Sequence, residues 1–263
     1  MRILAIGDVV GKPGRQAVRK LLPELIDSQQ LDLVIANAEN AAGGSGLTAE
    51  TAEDLLTLPV AMLTGGNHTW RYKEVLKLLE RDPRILRPLN FPEGTPGRGY
   101  GICETAGGVK VGVINLQGRV FMDPLPSPFE AVLAAIEELK KETPLVVVDI
   151  HAEATSEKRA LGWFLDGKVS LVFGTHTHVA TADEEILPQG TGYITDIGMT
   201  GPYDSVIGMK KEAILERFLT MRPTAFNVAK GDTRLCGVIA DLDEETGNCR
   251  SIERVRIQVG DGP

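Results

Sequence analysis

Three cysteines are too few and too scattered for a disulfide framework. Cys103, Cys236 and Cys249 form no C-x-x-C pair and are odd in number, so they read as reduced thiols. No Lys/Arg-rich run is present to track phosphates, and a net charge of -8 with a pI near 5.2 excludes a general binder of extended nucleic acid or of anionic membrane. No apolar stretch approaches membrane-spanning length, and the few apolar residues between Arg2 and Gly7 cannot form a signal-peptide core, so the expected location is cytoplasmic. No G-x-S-x-G elbow supports Ser/His/Asp catalysis. Gly11-Lys12-Pro13-Gly14-Arg15 is not a P-loop, because Gly7 and Gly11 lie too close and Pro13 follows the lysine; helix entry is its expected role. With no repeat, low-complexity tract or composition break, the chain reads as a single domain over 1–263.

Histidine is also scarce, and its placement is informative. All 4 fall in three short motifs just after apolar runs: Gly66-Asn67-His68, Asp149-Ile150-His151 and Gly174-Thr175-His176-Thr177-His178. A chain that spends every imidazole in this way is collecting nitrogen ligands for metal. Two further runs, Ile3 to Asp8 and Leu33 to Asn40, end in carboxylates, and the expected sum is a two-metal hydrolytic site. Taken singly, these residues have plainer readings: Asp8 as a turn or capping residue, Asn40 as a turn former before a Gly-rich stretch, His68 or His151 as an ordinary exposed ring. The joint pattern favours metal.

Hydrophobic content of 43% and charged content of 24% are those of an ordinary globular protein. The spacing predicts strands near 2–7, 32–38 and 60–64, alternating with helices over Arg15–Ile26, from an N-cap at Thr48 to about Leu58, and from Tyr72 to Glu80. Tyr100–Glu104 and Lys110–Asn115 read as paired antiparallel strands, and Phe129–Lys141 as an amphipathic helix. Buried strands at 145–151 and 169–174 flank a helix around Glu157–Leu165, and Thr233–Asp241 with Arg250–Val259 reads as a hairpin. The expected architecture is α/β, two mixed sheets packed together with helices outside.

In such sheets ligands bind beyond the carboxyl ends of parallel strands. Asp8, Glu39, Asn67, His151 and His176 each lie just past such an end, so they can converge on one rim. In extended backbone His176 and His178 would share a face and serve neighbouring metals, while Asn67 and His68 would point apart, Asn67 to metal and His68 to substrate. Glu39 can bridge both ions through its two oxygens. Three imidazoles among oxygen donors favour manganese, iron or zinc over magnesium or calcium.

Gly7-Asp8, Gly66-Asn67-His68, His151 and Gly174-Thr175-His176-Thr177-His178 together resemble the calcineurin-like metallophosphoesterases. Ala38-Glu39-Asn40, behind Gly7-Asp8-Val9-Val10-Gly11, resembles the bacterial YmdB-type branch over essentially the whole chain. The broader superfamily has a histidine where Val10 stands and an aspartate where Glu39 stands. The resemblance implies a four-layer α-β-β-α sandwich and two divalent ions, with iron and manganese ahead of zinc. It implies that Asp8, Glu39, Asn40 and His178 hold one ion, and that Glu39, Asn67, His151 and His176 hold the other. Two such ions against Asp8, Glu39 and a bridging hydroxide leave a charge of about +1 for an anionic ester.

The expected reaction is in-line attack of that hydroxide on phosphorus, with His68 protonating the leaving alkoxide. The branch implies a phosphodiesterase acting on cyclic nucleotides, the 2′,3′-cyclic monophosphates and the 3′,5′-cyclic ones besides. Two other classes stand beside it: a metal- and nucleotide-binding regulatory protein with low turnover, and a phosphomonoesterase. The partner is a small phosphate ester; a homo-oligomer is left open, no apolar stripe demanding one. Trp70 and Tyr72 stack on a base in one reading and pack locally in the plainer one. Gly43-Gly44-Ser45-Gly46 lets backbone approach the site or serves as a flexible connector. Asp196 to Gly201 shapes the rim or forms a tight turn.

Overall fold

Residues 1–260 are described by the computed structural model. The strand β1 (Arg2–Ile6) is followed by β2 (Asp8–Val9), α1 (Gly11–Gln29), β3 (Leu33–Asn37), α2 (Ala49–Leu56), β4 (Met62–Thr64) and α3 (Val75–Arg81). Next come β5 (Tyr100–Glu104), β6 (Lys110–Gln117), α4 (Pro128–Leu139), β7 (Val146–His151), α5 (Thr155–Leu165) and β8 (Leu171–Thr175). The chain continues through β9 (Glu185–Ile186), β10 (Gly192–Ile194), β11 (Met199–Pro202), α6 (Lys211–Thr220), β12 (Thr233–Leu242) and β13 (Cys249–Gln258).

Two mixed sheets result. One has the order β2-β11-β12-β1-β3-β4 with β13 paired to β12; the other runs β5-β6-β7-β8-β10-β9. β1, β3 and β4 are parallel neighbours, as are β6, β7 and β8, so both sheets deliver consecutive strand ends to a common edge. The β12–β13 hairpin and the antiparallel β5–β6 pair form as their alternation predicts.

Period-2 alternation divides each strand between two cores. Ile3 and Ala5 of β1 face inward with Ile35, Val113, Val147, Phe173 and Val238, filling the space between the sheets. Leu4 and Ile6 face outward, where Val18 and Leu22 of α1, Leu55 of α2 and Leu79 of α3 cover them. On the far side, Val146, Val148 and Ile150 of β7 pack under Val132 and Ile136 of α4 and Leu161 and Leu165 of α5. At about 1.5–3 kcal/mol for each large apolar side chain buried, these three clusters drive assembly of the α-β-β-α layers. Thr48 caps α2 as its sequence suggests: its hydroxyl accepts from Thr51 N at 3.2 Å, and the Thr51 hydroxyl accepts from Thr48 N at 3.0 Å.

Several elements differ from expectation. α1 starts at Gly11 and ends at Gln29, longer than the apolar periodicity alone indicates, and α3 begins at Val75 because residues 72–74 remain in turns. β9, β10 and β11 fall in a stretch whose short Thr/Gly-rich runs carry no readable period. α6, which the sequence reading leaves unassigned, buries only Ile214 and exposes Leu215, Phe218 and Leu219, apolar residues at helical spacing. The three cysteines are free, Cys236 and Cys249 in the core. No helix is long and apolar enough to cross a membrane among the described residues.

Candidate metal centre

β1, β3, β4, β7 and β8 end side by side, and the residues just past those ends meet. His151, the last residue of β7, is fully buried. Its Nε2 lies 3.1 Å from Glu39 Oε1, 3.0 Å from Asn67 Oδ1 and 3.0 Å from His176 Nδ1. Among the described residues, Glu39, His151 and His176 form a group whose donor atoms lie within 4.8 Å of one another. Gly66 makes this approach possible, because a Cβ there would stand 2.2 Å from Glu39 Oε2 and 2.4 Å from His151 Nε2.

A second group adjoins the first. His178 Nε2 is 3.7 Å from Asp8 Oδ1 and 3.0 Å from Asn40 Nδ2, and Asn40 Nδ2 is 3.1 Å from Glu39 Oε1. Glu39 Oε1 therefore touches members of both groups. His178 Nδ1 donates to the Ile207 carbonyl at 2.9 Å, which leaves Nε2 with its lone pair toward Asp8. Asp8 Oδ1 is buried and has no hydrogen-bond partner among the described residues, while Asp8 Oδ2 accepts from His176 N at 3.1 Å. A buried carboxylate oxygen without a donor is costly unless a cation satisfies it. The orphaned oxygen, the facing ring nitrogens and the mixed N/O donor set fit divalent transition ions.

The charges interlock. Burial opposes ionisation of Glu39, but the His151 and His68 rings outweigh it and hold the carboxyl well below its ordinary range. Burial likewise opposes charge on His151, yet Glu39, then Asp8 and Asp149, lift it to about 9. Burial and the His151 charge push His176 down to about 3, so one proton serves the pair and sits on His151. Burial raises Asp8 against the pull of His178 and His151.

His68 stands at the solvent lip. Its Nδ1 lies 2.9 Å from Asn40 Oδ1 and 3.2 Å from Glu39 Oε1, and its backbone N–H donates to Glu39 Oε2 at 3.1 Å. Asn67 and His68 do diverge toward different partners, but from a turn over 67–70 rather than from extended backbone. Asn40 turns its amide nitrogen, not its oxygen, toward Glu39 and His178; ligation through oxygen takes a rotation of the amide about χ2.

The largest correction concerns His176 and His178. Neither is extended: both have left-handed backbone, φ 94° and 65°, a conformation that costs a non-glycine residue about 1–3 kcal/mol. The loop is held there by Asp196, whose Oδ2 accepts from Thr177 N at 3.2 Å and Thr177 Oγ1 at 2.7 Å. Lys158, fully buried, donates to the same oxygen and to the Thr175 carbonyl, each at 2.7 Å. Asp196 with Gly198 does form a turn, and Met199–Pro202 beyond it is a strand. Sequence reasoning missed Lys158, although it shares the apolar face of α5 with Leu161 and Leu165, where a lysine signals a buried partner. It also missed Glu153, whose carboxylate holds His176 Nε2 at 3.0 Å.

Neighbouring features are plainer. Trp70 packs on Phe91 with centroids 5.5 Å apart, and Tyr72 lies against Gly46 and the Ala42 carbonyl. Gly44 and Gly46 are close-packed, positive-φ positions against Met209 and Arg71, so that stretch is a fixed turn rather than a flexible connector. A cavity of about 720 Å³ beside Arg87 and Tyr100 lies away from the cluster, and Arg87 spends its donors on the carbonyls of Pro88, Leu89, Thr95 and Pro96.

The chain is similar to known proteins over nearly its whole length. The family described as YmdB-like protein matches residues 4–255. A 2′,3′-cyclic-nucleotide 2′-phosphodiesterase of Bacillus subtilis (strain 168) is 51% identical over 257 residues, covering 98% of this chain and 97% of that protein. The crystal structure of a hypothetical protein from Thermus thermophilus superposes with a TM-score of 0.92 at 46% identity, covering 98% of this chain and 99% of that one. The crystal structure of a novel phosphatase from Mycoplasma pneumoniae gives 0.91 at 38% identity, covering 98% and 93%.

Proposed function

Because the chain belongs to the YmdB-like protein family, we propose that it is a metal-dependent phosphodiesterase that opens 2′,3′-cyclic nucleotides, with 3′,5′-cyclic nucleotides as further substrates. It is a phosphoric ester hydrolase, working as one domain in the cytoplasm. The observation that carries this reading is the convergence of Asp8, Glu39, Asn40, Asn67, His151, His176 and His178 at one edge of both sheets, with His68 beside them.

Asp8, Glu39, Asn40 and His178 would hold one ion and Glu39, Asn67, His151 and His176 the other, manganese or iron before zinc, with Glu39 common to both. Bound there, divalent ions supply Lewis-acid neutralisation of phosphoryl oxygens and an acidified water. The protein supplies the rest. Buried strand ends fix the donors without reorganisation, and Asp196 with Lys158 keeps His176 and His178 in their strained turn. His68 is the proton donor: its Nδ1 lies 3.2 Å from Glu39 Oε1, which leaves Nε2 for the departing ribose oxygen.

Purified protein assayed with Mn²⁺ on 2′,3′-cyclic AMP, 3′,5′-cyclic AMP, a nitrophenyl diester and a nitrophenyl monoester tests the assignment. Turnover fastest on the 2′,3′-cyclic nucleotide is expected. A monoester preference would make it a phosphatase, and metal binding without turnover would make it a regulatory protein.

A further inference from the structure

Asp149 lies two residues before His151, fully buried between the sheets, and is not among the candidate ligands. Its Oδ1 accepts from Thr175 Oγ1 at 2.7 Å, and its Oδ2 accepts from Thr64 Oγ1 at 2.5 Å and Asn37 Nδ2 at 3.0 Å. Asn37 and Thr64 end β3 and β4 of one sheet, whereas Asp149 and Thr175 belong to β7 and β8 of the other. One carboxylate thus ties together both sheets directly beneath the ligand cluster.

The directions of these bonds are fixed. An ionised carboxylate only accepts, so the Thr175 hydroxyl must give its one hydrogen to Asp149. Both lone pairs of Thr175 Oγ1 are then left to accept. One receives Asn37 Nδ2 at 3.3 Å, and the other faces His151 Nδ1 at 2.9 Å. His151 must therefore carry hydrogen on Nδ1, so that in the neutral ring the Nε2 lone pair faces Glu39, Asn67 and His176. The same carboxylate reaches Glu39 by a second route, since the Asn37 amide that donates to Asp149 also accepts the Glu39 backbone N–H at 3.1 Å.

From this chain we infer that Asp149 is a positioning residue: acting through Thr175 it sets the His151 tautomer, and through Asn37 it seats Glu39, so that both present their donor atoms to the same cation. The inference rests on the metal reading of the site and deepens it. Asp149→Asn should reverse the chain. Thr64 and Asn37 both require an acceptor on the Oδ2 side, so the new NH₂ must lie toward Thr175. Its hydroxyl then turns to donate to His151 Nδ1, and the neutral ring moves its hydrogen to Nε2, blocking the ligand atom.

The test compares wild type with Asp149→Asn, Thr175→Val and Thr175→Ser, measuring Mn²⁺ affinity by chelator competition. ¹⁵N-histidine NMR of the metal-free protein at alkaline pH, where the ring is neutral, reads the tautomer. Expected are an Nδ1–H tautomer in wild type and Thr175→Ser and an Nε2–H tautomer in Asp149→Asn. Mn²⁺ binding should be roughly 10- to 100-fold weaker in Asp149→Asn and Thr175→Val, with affinity restored in Thr175→Ser. Unchanged tautomer and affinity in Asp149→Asn would overturn the inference, as would equal losses in Thr175→Ser and Thr175→Val. A wild type that binds no Mn²⁺ would instead sink the metal reading, and the tautomer comparison would still decide the role of Asp149.

Discussion

His151 Nε2 and His176 Nδ1 face each other at 3.0 Å, two ring nitrogens that cannot both present a lone pair across that gap. A proton or a cation has to stand between them. In the metal-free protein the proton resides on His151, raised to about 9 chiefly by Glu39 against the opposing effect of burial, while His176 is pushed down to about 3. Cation binding must displace that proton, because a ligating imidazole is neutral. Release of about one proton per His151-bound ion is expected near neutral pH. Titration calorimetry in buffers of different ionisation enthalpy measures it, and a buffer-independent heat would exclude His151 as the ligand.

The same ring gives the metal-free fold a pH dependence. Its folded value lies above the ordinary 6.5, so the stabilisation is complete below about pH 6.5 and is lost as pH rises toward 9. Chelator-treated protein should therefore melt at progressively lower temperature across that window, whereas Glu39→Gln, which removes the main cause of the shift, should flatten the slope. A Tm that rises across the window would contradict the assignment of the proton.

Gly66 offers a sharper probe than any ligand deletion. Its substitution by alanine alters no donor atom, yet the added methyl would fall against Glu39 Oε2 and His151 Nε2. Gly66→Ala should lower Mn²⁺ affinity by at least the roughly 10- to 100-fold typical of outer-shell changes. It should leave the sheets folded by circular dichroism. Full metal content in this variant would mean that Glu39 and His151 do not share a cation.

His68 separates chemistry from binding. It meets Asn40 and Glu39 only through Nδ1 and its backbone, and its ring reaches solvent. His68→Ala should keep Mn²⁺ and lower kcat by about 10²- to 10⁴-fold on a cyclic nucleotide, the span of a lost general acid. The deficit should shrink on a nitrophenyl diester, whose leaving group needs no proton. An equal deficit on both substrates would assign His68 to substrate placement instead.

What can be foreseen from sequence follows from the kind of interaction involved. Buried parallel strands are continuous apolar runs, so the ends of β1, β3, β7 and β8 stand out, and with them Asp8, Glu39, His151 and His176. The turn geometry of His176 and His178 is illegible because left-handed φ at a histidine leaves no mark in the sequence; it depends on Asp196, distant along the chain. α6, by contrast, is legible: Ile214, Leu215, Phe218 and Leu219 keep helical spacing, although Ile214 alone is buried.

Lys158 and Asp196 provide the last test, since a buried ion pair is far more costly to break than to remove. Both side chains are fully buried and joined at 2.7 Å, and Asp196 also anchors Thr177 between the two histidines. Lys158→Met leaves Asp196 charged and without its cation, which should cost about 3–5 kcal/mol in urea unfolding. Adding Asp196→Asn removes the stranded charge, so the double variant should be more stable than Lys158→Met alone. Its amide still accepts from Thr177 only weakly, however, and the Mn²⁺ affinity should stay low in both proteins. Additive losses in stability would show that the two side chains act independently, and wild-type affinity in the double variant would show that the loop holds its strained turn without them.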